Sequence, residues 1–473
     1  MNKITKPNVN KLTRFNSKPP TRPPRRVIPK AELGLTVDLT FNWSRKFGHR
    51  DGDLVIKGSK SFEEMPQNEY AKLFLHKCKE CSKLCDFSDA NIDGKAKVTK
   101  SILLKHLTQC FSMVGFMKIL TAEMMTEFYK MVSTNLFRAL PRYPEAVPVD
   151  AKVSFYDNSW PHLSLVYQVL NASLSSHFAA NITPTFIYKI ISNGLSIDPS
   201  ERVAVRDFLH SYYSRFMGQR VMIRTDIFGL FSMGQASLEL LDFFSSIVQG
   251  FNPPLKADHV KFFNQALLPL YTYSELNRYS KALTSCVCKF CEKNFNLISV
   301  AFDYLYKHWP LQDSKKQKIY IDSVKIILFS FDKFSDTSLR RAFAILAEGV
   351  RSDNVDVAEI ALDTLLAENL VLVYKQNPRL IFTTIFEKLY KSAKSHWDED
   401  IKTDSIAALQ ILSEIDPNIF GELNNAHKDK KNTKKAPVKE ASALKTNWMQ
   451  VFNLAKKNDQ AIKTLRLDTA VIQ

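Results

Sequence analysis

The sequence predicts an all-α chain, a HEAT/armadillo-like α-solenoid of about eight helix pairs. Three observations carry this expectation. From about Glu64 onward, apolar residues recur with the helical period, and the amphipathic segments are joined by short Pro-, Asn-, Asp- or Ser-rich links. Two such segments with their links take roughly 40 residues, the HEAT and armadillo scale. Glycine is scarce, 13 in 473 residues, well below the usual share of about 7%, which argues against folds built on glycine turns. One helix pair cannot bury its apolar faces alone, so neighbours must stack, and the expected product is a curved array with a concave and a convex surface.

The segments follow in order. "EYAKLFLHKCKECSKLC", "SILLKHLTQCF" and "MTEFYKMVSTNLFRALP" open the array, and Pro141 ends the third. "SWPHLSLVYQVLNASL" has Ser159 as a plausible N-cap with Pro161 in the first turn. "TPTFIYKIISNGL" and "SIDPSERVAVRDF" follow, the latter leading into "FLHSYYSRFMGQRVMIR". "ASLELLDFFSSIVQGF", "PLKADHVKFFNQALLPLY" and "SKALTSCVCKFCEKN" occupy the middle, and seven further helical segments run to "LKTNWMQVFNLAKK". Period-2 alternation is expected only near "GDLVIKG".

This pattern divides the chain into a basic, largely disordered tail (1–63), the solenoid (64–424), a basic linker (425–442) and a C-terminal helix with its tail (443–473). The net charge is +17, and much of the excess lies in "KLTRFNSKPPTRPPRRVIPK" and "HKDKKNTKKAPVK", which lack apolar periodicity and read as solvated tails. No apolar run approaches about 18 residues, so no membrane span is expected. The start of the chain has no signal-peptide pattern, so a cytoplasmic or nuclear location, or both, is expected. Dinucleotide, P-loop, zincin and nucleophile-elbow motifs are all missing from the sequence. No catalytic residue, metal site or cofactor is therefore expected.

Two cysteine clusters invite a metal reading. "HKCKECSKLC" brings His76, Cys78, Cys81 and Cys85 close together. Yet the second pair a zinc ribbon needs is missing, and i, i+3, i+7 spacing is an ordinary apolar stripe. "CVCKFC" (Cys286, Cys288, Cys291) reads as core in the same way.

The stretch Phe208–Arg224 mixes aromatic and basic residues with no acid. On one continuous helix, at about 100° per residue from His210, Val205, Leu209, Tyr212, Phe216 and Ile223 form a core face. Arg206, His210, Tyr213, Met217, Arg220 and Arg224 form a second stripe beside it. Guanidinium forks hold carboxylates, while tyrosine and methionine offer adaptable apolar walls. The combination suits a short peptide with one apolar side chain and one acid. The next segment adds Phe243 and Ile247 as i, i+4 neighbours, then Lys256 and His259 as i, i+3 neighbours. These residues are expected to frame a second apolar pocket and a basic rim.

At these residues the sequence resembles the B-prime family of regulatory subunits of protein phosphatase 2A. The likeness runs from about Tyr70 to Asn458 and is carried by "NLFRALP", "WPHLSLVY", "DPSERVAVRDFLHSYYSRFMGQRVMIR", "IVQGFNPPLKADH", "LLPLY", "HWPLQDSKK", "VAEIAL", "LYKSAKSHW" and "NLAKKN". The resemblance implies a non-catalytic subunit that docks on the phosphatase 2A scaffold and catalytic subunits. It also implies recruitment of substrate proteins through an acidic Leu-x-x-Ile-x-Glu motif. His210, Tyr213 and Met217 match the leucine pocket of that family, Phe243 and Ile247 the isoleucine pocket, Arg220 the glutamate site, and Lys256 and His259 the basic positions beyond it.

Three departures stand out. Ser211 replaces the family's usual arginine, "VDAKVSFYDNSW" lacks most of the family's acidic loop, and the segment between Arg224 and Leu238 is shortened. The alternative readings are a nucleic-acid-binding solenoid, motivated by the charge, and a general protein scaffold. Nucleic acid is the less expected partner, because no base-reading positions recur from repeat to repeat.

Overall fold

The computed structural model describes residues 38–45, 52–141 and 152–433. The N-terminal basic run, the C-terminal helix predicted over 443–473 and most of the 425–442 linker lie outside these residues. The fold is an all-α solenoid with nineteen α-helices among the described residues. The chain divides into two compact units, Met1–Met217 and Gly218–Gln473.

The first unit holds α1 (Tyr70–Cys81), α2 (Gly94–Cys110), α3 (Val114–Ile119), α4 (Ala122–Leu136), α5 (Trp160–Ser173), α6 (Pro184–Asn193) and α7 (Pro199–Arg215). Helices α1, α4 and α6 pack in sequence, and so do α2, α5 and α7, giving the two layers of a helix-pair stack. Local chemistry fixes the starts. Thr121 and Thr183 accept from the backbone N–H three residues on, and Asp198 accepts from Ser200 at 2.8 Å. Ser159 stands at the N-cap of α5 but makes no capping bond, and its hydroxyl donates instead to Asp157.

Two strands, β1 (Asp38–Trp43) and β2 (Lys152–Asp157), pair in parallel with Phe41 opposite Phe155. Alternation was expected at Gly52–Gly58, where no strand forms. That segment is instead held by its backbone: Leu54 N–H donates to Asp93 at 2.7 Å and Lys57 N–H to Glu80 at 2.7 Å. Ile56 and Phe62 are buried. The expected tail of 1–63 therefore includes one strand and one packed segment.

The second unit holds α8 (Arg220–Ser232), α9 (Leu238–Gln249), α10 (Ala257–Phe262), α11 (Leu276–Lys293), α12 (Asn296–Lys307), α13 (Ser314–Ser330), α14 (Asp336–Val350), α15 (Val355–Leu365), α16 (Val371–Tyr374), α17 (Pro378–Ser395), α18 (Glu399–Ile415) and α19 (Pro417–Thr433). One layer runs α9, α11, α13, α15, α18, and the other runs α12, α14, α17, α19, each helix packed on the next in its layer. The start of the expected basic linker is thus the end of α19.

The seven thiols are buried. Cys78 and Cys81 face the core from α1, while Cys85 lies past the end of that helix. Burial pushes the Cys81 thiol up to about 12, so it is a protonated packing group at neutral pH. Among the described residues no cluster of His, Cys, Asp or Glu is arranged to hold a metal ion. No described helix is long and apolar enough to cross a membrane.

Candidate peptide-binding residues

Helix α7 buries Val205, Phe208, Leu209 and Tyr212, and this face fixes which way the others point. His210 is exposed and Tyr213 half-buried. Arg206 is not left without an acid: its guanidinium pairs with the adjacent Asp207 at 2.9 Å. The predicted continuous stripe stops at Arg215. Phe216 leaves helical geometry at φ −111° and ψ 83°, its ring packed 4.8 Å from Tyr212. A short 3₁₀ turn, Met217–Gln219, follows before α8 begins. The single helical wheel therefore fails past Arg215, and Arg220 and Arg224 belong to a different helix. Gly218 in the turn supplies no side chain to sustain helix there. Met217, in that turn, is 73% exposed.

In the second unit Arg220 opens α8, and both Arg220 and Arg224 are half-buried. Helix α9 starts at Ser237, whose hydroxyl accepts from Leu240 N–H at 3.2 Å. Its amphipathic period turns Phe243 and Ile247 inward. Phe243 is 0% exposed and Ile247 6%. The two residues expected to line an open pocket are core side chains in this structure, because an i, i+4 apolar pair on a core-facing helix is first a packing pair.

The chain then turns through Pro253 and Pro254 into α10. Lys256 is exposed at the start of that helix. His259 is half-buried, with its ring stacked on Phe251 at 3.8 Å and 5°. Desolvation, then Arg224, then Lys256 hold its pKa below the usual value, against the opposing pull of Asp258. The imidazole is therefore neutral near pH 7, and Lys256 supplies the charge of this pair.

Two features escaped the sequence reading. One is a buried ion cluster in the first unit, in which Arg138 meets Asp157 and Glu201 at 2.6 and 2.8 Å. A lone arginine inside the apolar "NLFRALP" was its only signal. The other is a cavity of about 390 Å³ walled by Phe228, Phe244, Phe251, Phe262 and Phe290, on whose edge Arg224, Lys256 and Lys261 stand. Its walls come from four helices and one turn, so no local pattern announces it.

Residues 59–455 match the model of the protein phosphatase 2A regulatory B subunit (B56 family). The chain belongs to the B56 family. It is 30% identical over 427 residues to the phosphatase 2A regulatory subunit psrA of Dictyostelium discoideum, covering 81% of this chain and 66% of that protein. It is 29% identical over 433 residues to the 56 kDa regulatory subunit alpha isoform of Mus musculus, covering 88% and 87%. With the 57 kDa B' beta subunit of Arabidopsis thaliana it shares 28% over 418 residues, covering 84% and 83%. These B56 relatives are regulatory subunits of a phosphatase, and this B56 chain is regulatory, not catalytic.

Proposed function

We propose that this chain is the substrate-recruiting subunit of a heterotrimeric Ser/Thr phosphatase of the 2A class. In this reading it joins a scaffold subunit and a catalytic subunit and captures acidic Leu-x-x-Ile-x-Glu-type segments of substrate proteins. The family match over residues 59–455 carries the reading. The charge and exposure of individual side chains support it. Exposed His210 and Met217 with half-buried Tyr213 offer an apolar contact, and Arg220 and Lys256 offer cations for acids.

Recruitment of this kind needs only modest affinity. Tethering a substrate beside a catalytic subunit raises its effective concentration, so a micromolar motif, about −8 kcal/mol, is sufficient. Removing a desolvated cation from a carboxylate costs about 2–5 kcal/mol. The test is fluorescence polarisation with a labelled Leu-x-x-Ile-x-Glu peptide and the full chain. Arg220→Glu is expected to weaken binding at least about thirtyfold while leaving the circular dichroism spectrum unchanged. Equal affinity in the two proteins would refute the assignment of the glutamate site. Co-purification with the scaffold and catalytic subunits tests the assembly separately.

A further inference from the structure

The segment Leu54–Phe62 runs against α1 and the start of α2 with no helix or strand of its own. Ile56 and Phe62 are its apolar anchors, 7% and 2% exposed. The Phe62 ring meets Tyr70 at 5.6 Å and Phe116 at 5.5 Å. Between the anchors, charged side chains grip the backbone. The Lys83 ammonium donates to the Val55 carbonyl at 3.0 Å, Glu80 accepts from Lys57 N–H, and the Lys77 ammonium donates to the Lys60 carbonyl at 2.6 Å. The segment is a strap. It has few buried apolar contacts and is closed by polar bonds, so it opens at less cost than the helices beneath it.

Lys77, on α1, and His106, on α2, close the strap. Lys77 is fully buried, and its ammonium spends three donors on Ser59 Oγ at 2.8 Å, the Lys60 carbonyl and His106 Nδ1 at 3.1 Å. An ammonium only donates, so Nδ1 is the acceptor and the imidazole proton sits on Nε2. A charged His106 would present a second donor in that place and a like charge beside it. The other titratable groups facing the pair are Glu64 and the thiols of Cys81 and Cys110, which burial keeps protonated. Desolvation, then Lys77, hold the His106 pKa below the usual 6.5, against the pull of Glu64. Burial lowers the Lys77 pKa only to about 8, so the ammonium is still charged at pH 7.

We propose that Lys77 and His106 form a proton-operated latch: protonation of His106 breaks its contact with Lys77, the strap Leu54–Phe62 lifts, and the aromatic seat of Phe62 beside Tyr70 and Phe116 is uncovered. The latch does not depend on peptide recruitment. With the strap lifted, His106 regains its ordinary affinity for a proton, so the open form binds one proton more than the closed form. The closed form is therefore fully favoured above about pH 6.5 and loses ground as the pH falls below it.

Hydrogen exchange of the full chain, read by mass spectrometry between about pH 7.5 and pH 5 and corrected for intrinsic exchange rates, tests the latch. Protection of the strap amides, those of Leu54 and Lys57 among them, is expected to fall by up to about tenfold for each pH unit below about 6.5. Amides of α14, in the other unit, should keep theirs. His106→Gln, whose side-chain oxygen accepts from Lys77 at every pH, should keep the strap closed and abolish the fall. His162→Gln, which removes a buried histidine of α5, should leave the fall in place. A wild-type strap with pH-independent protection, a fall that persists in His106→Gln, or one that vanishes in His162→Gln would each overturn the proposal.

Discussion

Arg138 grips Glu201 with both arms of its guanidinium: Nη1 donates to Oε1 and Nη2 to Oε2, each at 2.8 Å. The same side chain donates to Asp157 from Nε and Nη2, and the Trp43 ring lies 5.6 Å from its guanidinium carbon. Tyr167 adds its hydroxyl to Glu201 at 3.0 Å. Burial opposes the charge on Arg138, but Glu201 and Asp157 outweigh it and raise its pKa further, so it stays protonated. One cation thus ties the end of α4, strand β2 and the start of α7 together.

Breaking this cluster from one side leaves buried carboxylates without their partner, which typically costs about 3–5 kcal/mol. Arg138→Ala is expected to lose that much in urea unfolding followed by near-ultraviolet circular dichroism. Arg138→Lys should recover only part, because an ammonium cannot reproduce the two parallel bonds. An Arg138→Ala protein as stable as the wild type would show that the cluster is dispensable.

His162 makes the first unit sensitive to acid. Its Nε2 donates to the Lys97 carbonyl at 2.9 Å, and the Phe87 ring meets it edge-on at 4.9 Å. Burial, then the Lys100 charge, lowers its pKa from the usual 6.5 to about 4. Between those values the unfolded chain binds more protons than the folded one. The stabilising contribution is therefore complete above about pH 6.5 and is lost as the pH falls toward 4, by about 3 kcal/mol in all. His162→Gln should flatten the slope of melting temperature against pH in this range. An unchanged slope would assign the acid sensitivity to other groups.

Gly349 and Gly229 should respond oppositely to alanine. A Cβ on Gly349, in α14, would lie 2.7 Å from Ile321 Cδ1 and 2.8 Å from Ala361 Cβ, where α13 and α15 press against it. Overpacking of this kind costs about 1–3 kcal/mol. A Cβ on Gly229, in α8, meets nothing within 4 Å, so the helix gains about 0.5–1 kcal/mol. Thermal melts of the two variants should shift in opposite directions, and a stabilised Gly349→Ala would contradict the close contact of α14 with its neighbours.

Ser211 offers a gain-of-function test. It is exposed on α7, and its hydroxyl donates only to the Asp207 carbonyl, at 3.0 Å. A longer side chain has room there. Ser211→Arg is expected to tighten binding of the acidic motif peptide by about threefold to tenfold at low salt, with less gain at high salt. No change at either salt concentration would place this position outside the binding surface.

The helical body was legible because its signal is long. Segments such as "TSLRRAFAILAEGV" keep the 3.6 period for several turns, and burial in α14 follows it. The strands were missed because their alternation (Leu39, Phe41, Trp43 and Val153, Phe155) is only a few residues long and the partners lie far apart in the chain. The site was read in part. Exposure of His210 and Met217 follows from the core face of α7. The break at Phe216 does not, because a single glycine such as Gly218 is tolerated within a helical pattern and tertiary packing decides where the helix stops. The ion cluster and the phenylalanine-lined cavity are products of distant segments, and periodicity carries no information about such meetings.

The buried thiols have a practical use. Four of them, Cys78, Cys81, Cys85 and Cys110, lie in the first unit, and three, Cys286, Cys288 and Cys291, in the second. A thiol shielded from solvent reacts with an alkylating reagent only when its surroundings open. The molecule therefore carries its own pair of timers. Mass spectrometry of alkylated peptides at graded urea would report which half opens first, with no residue substituted beforehand.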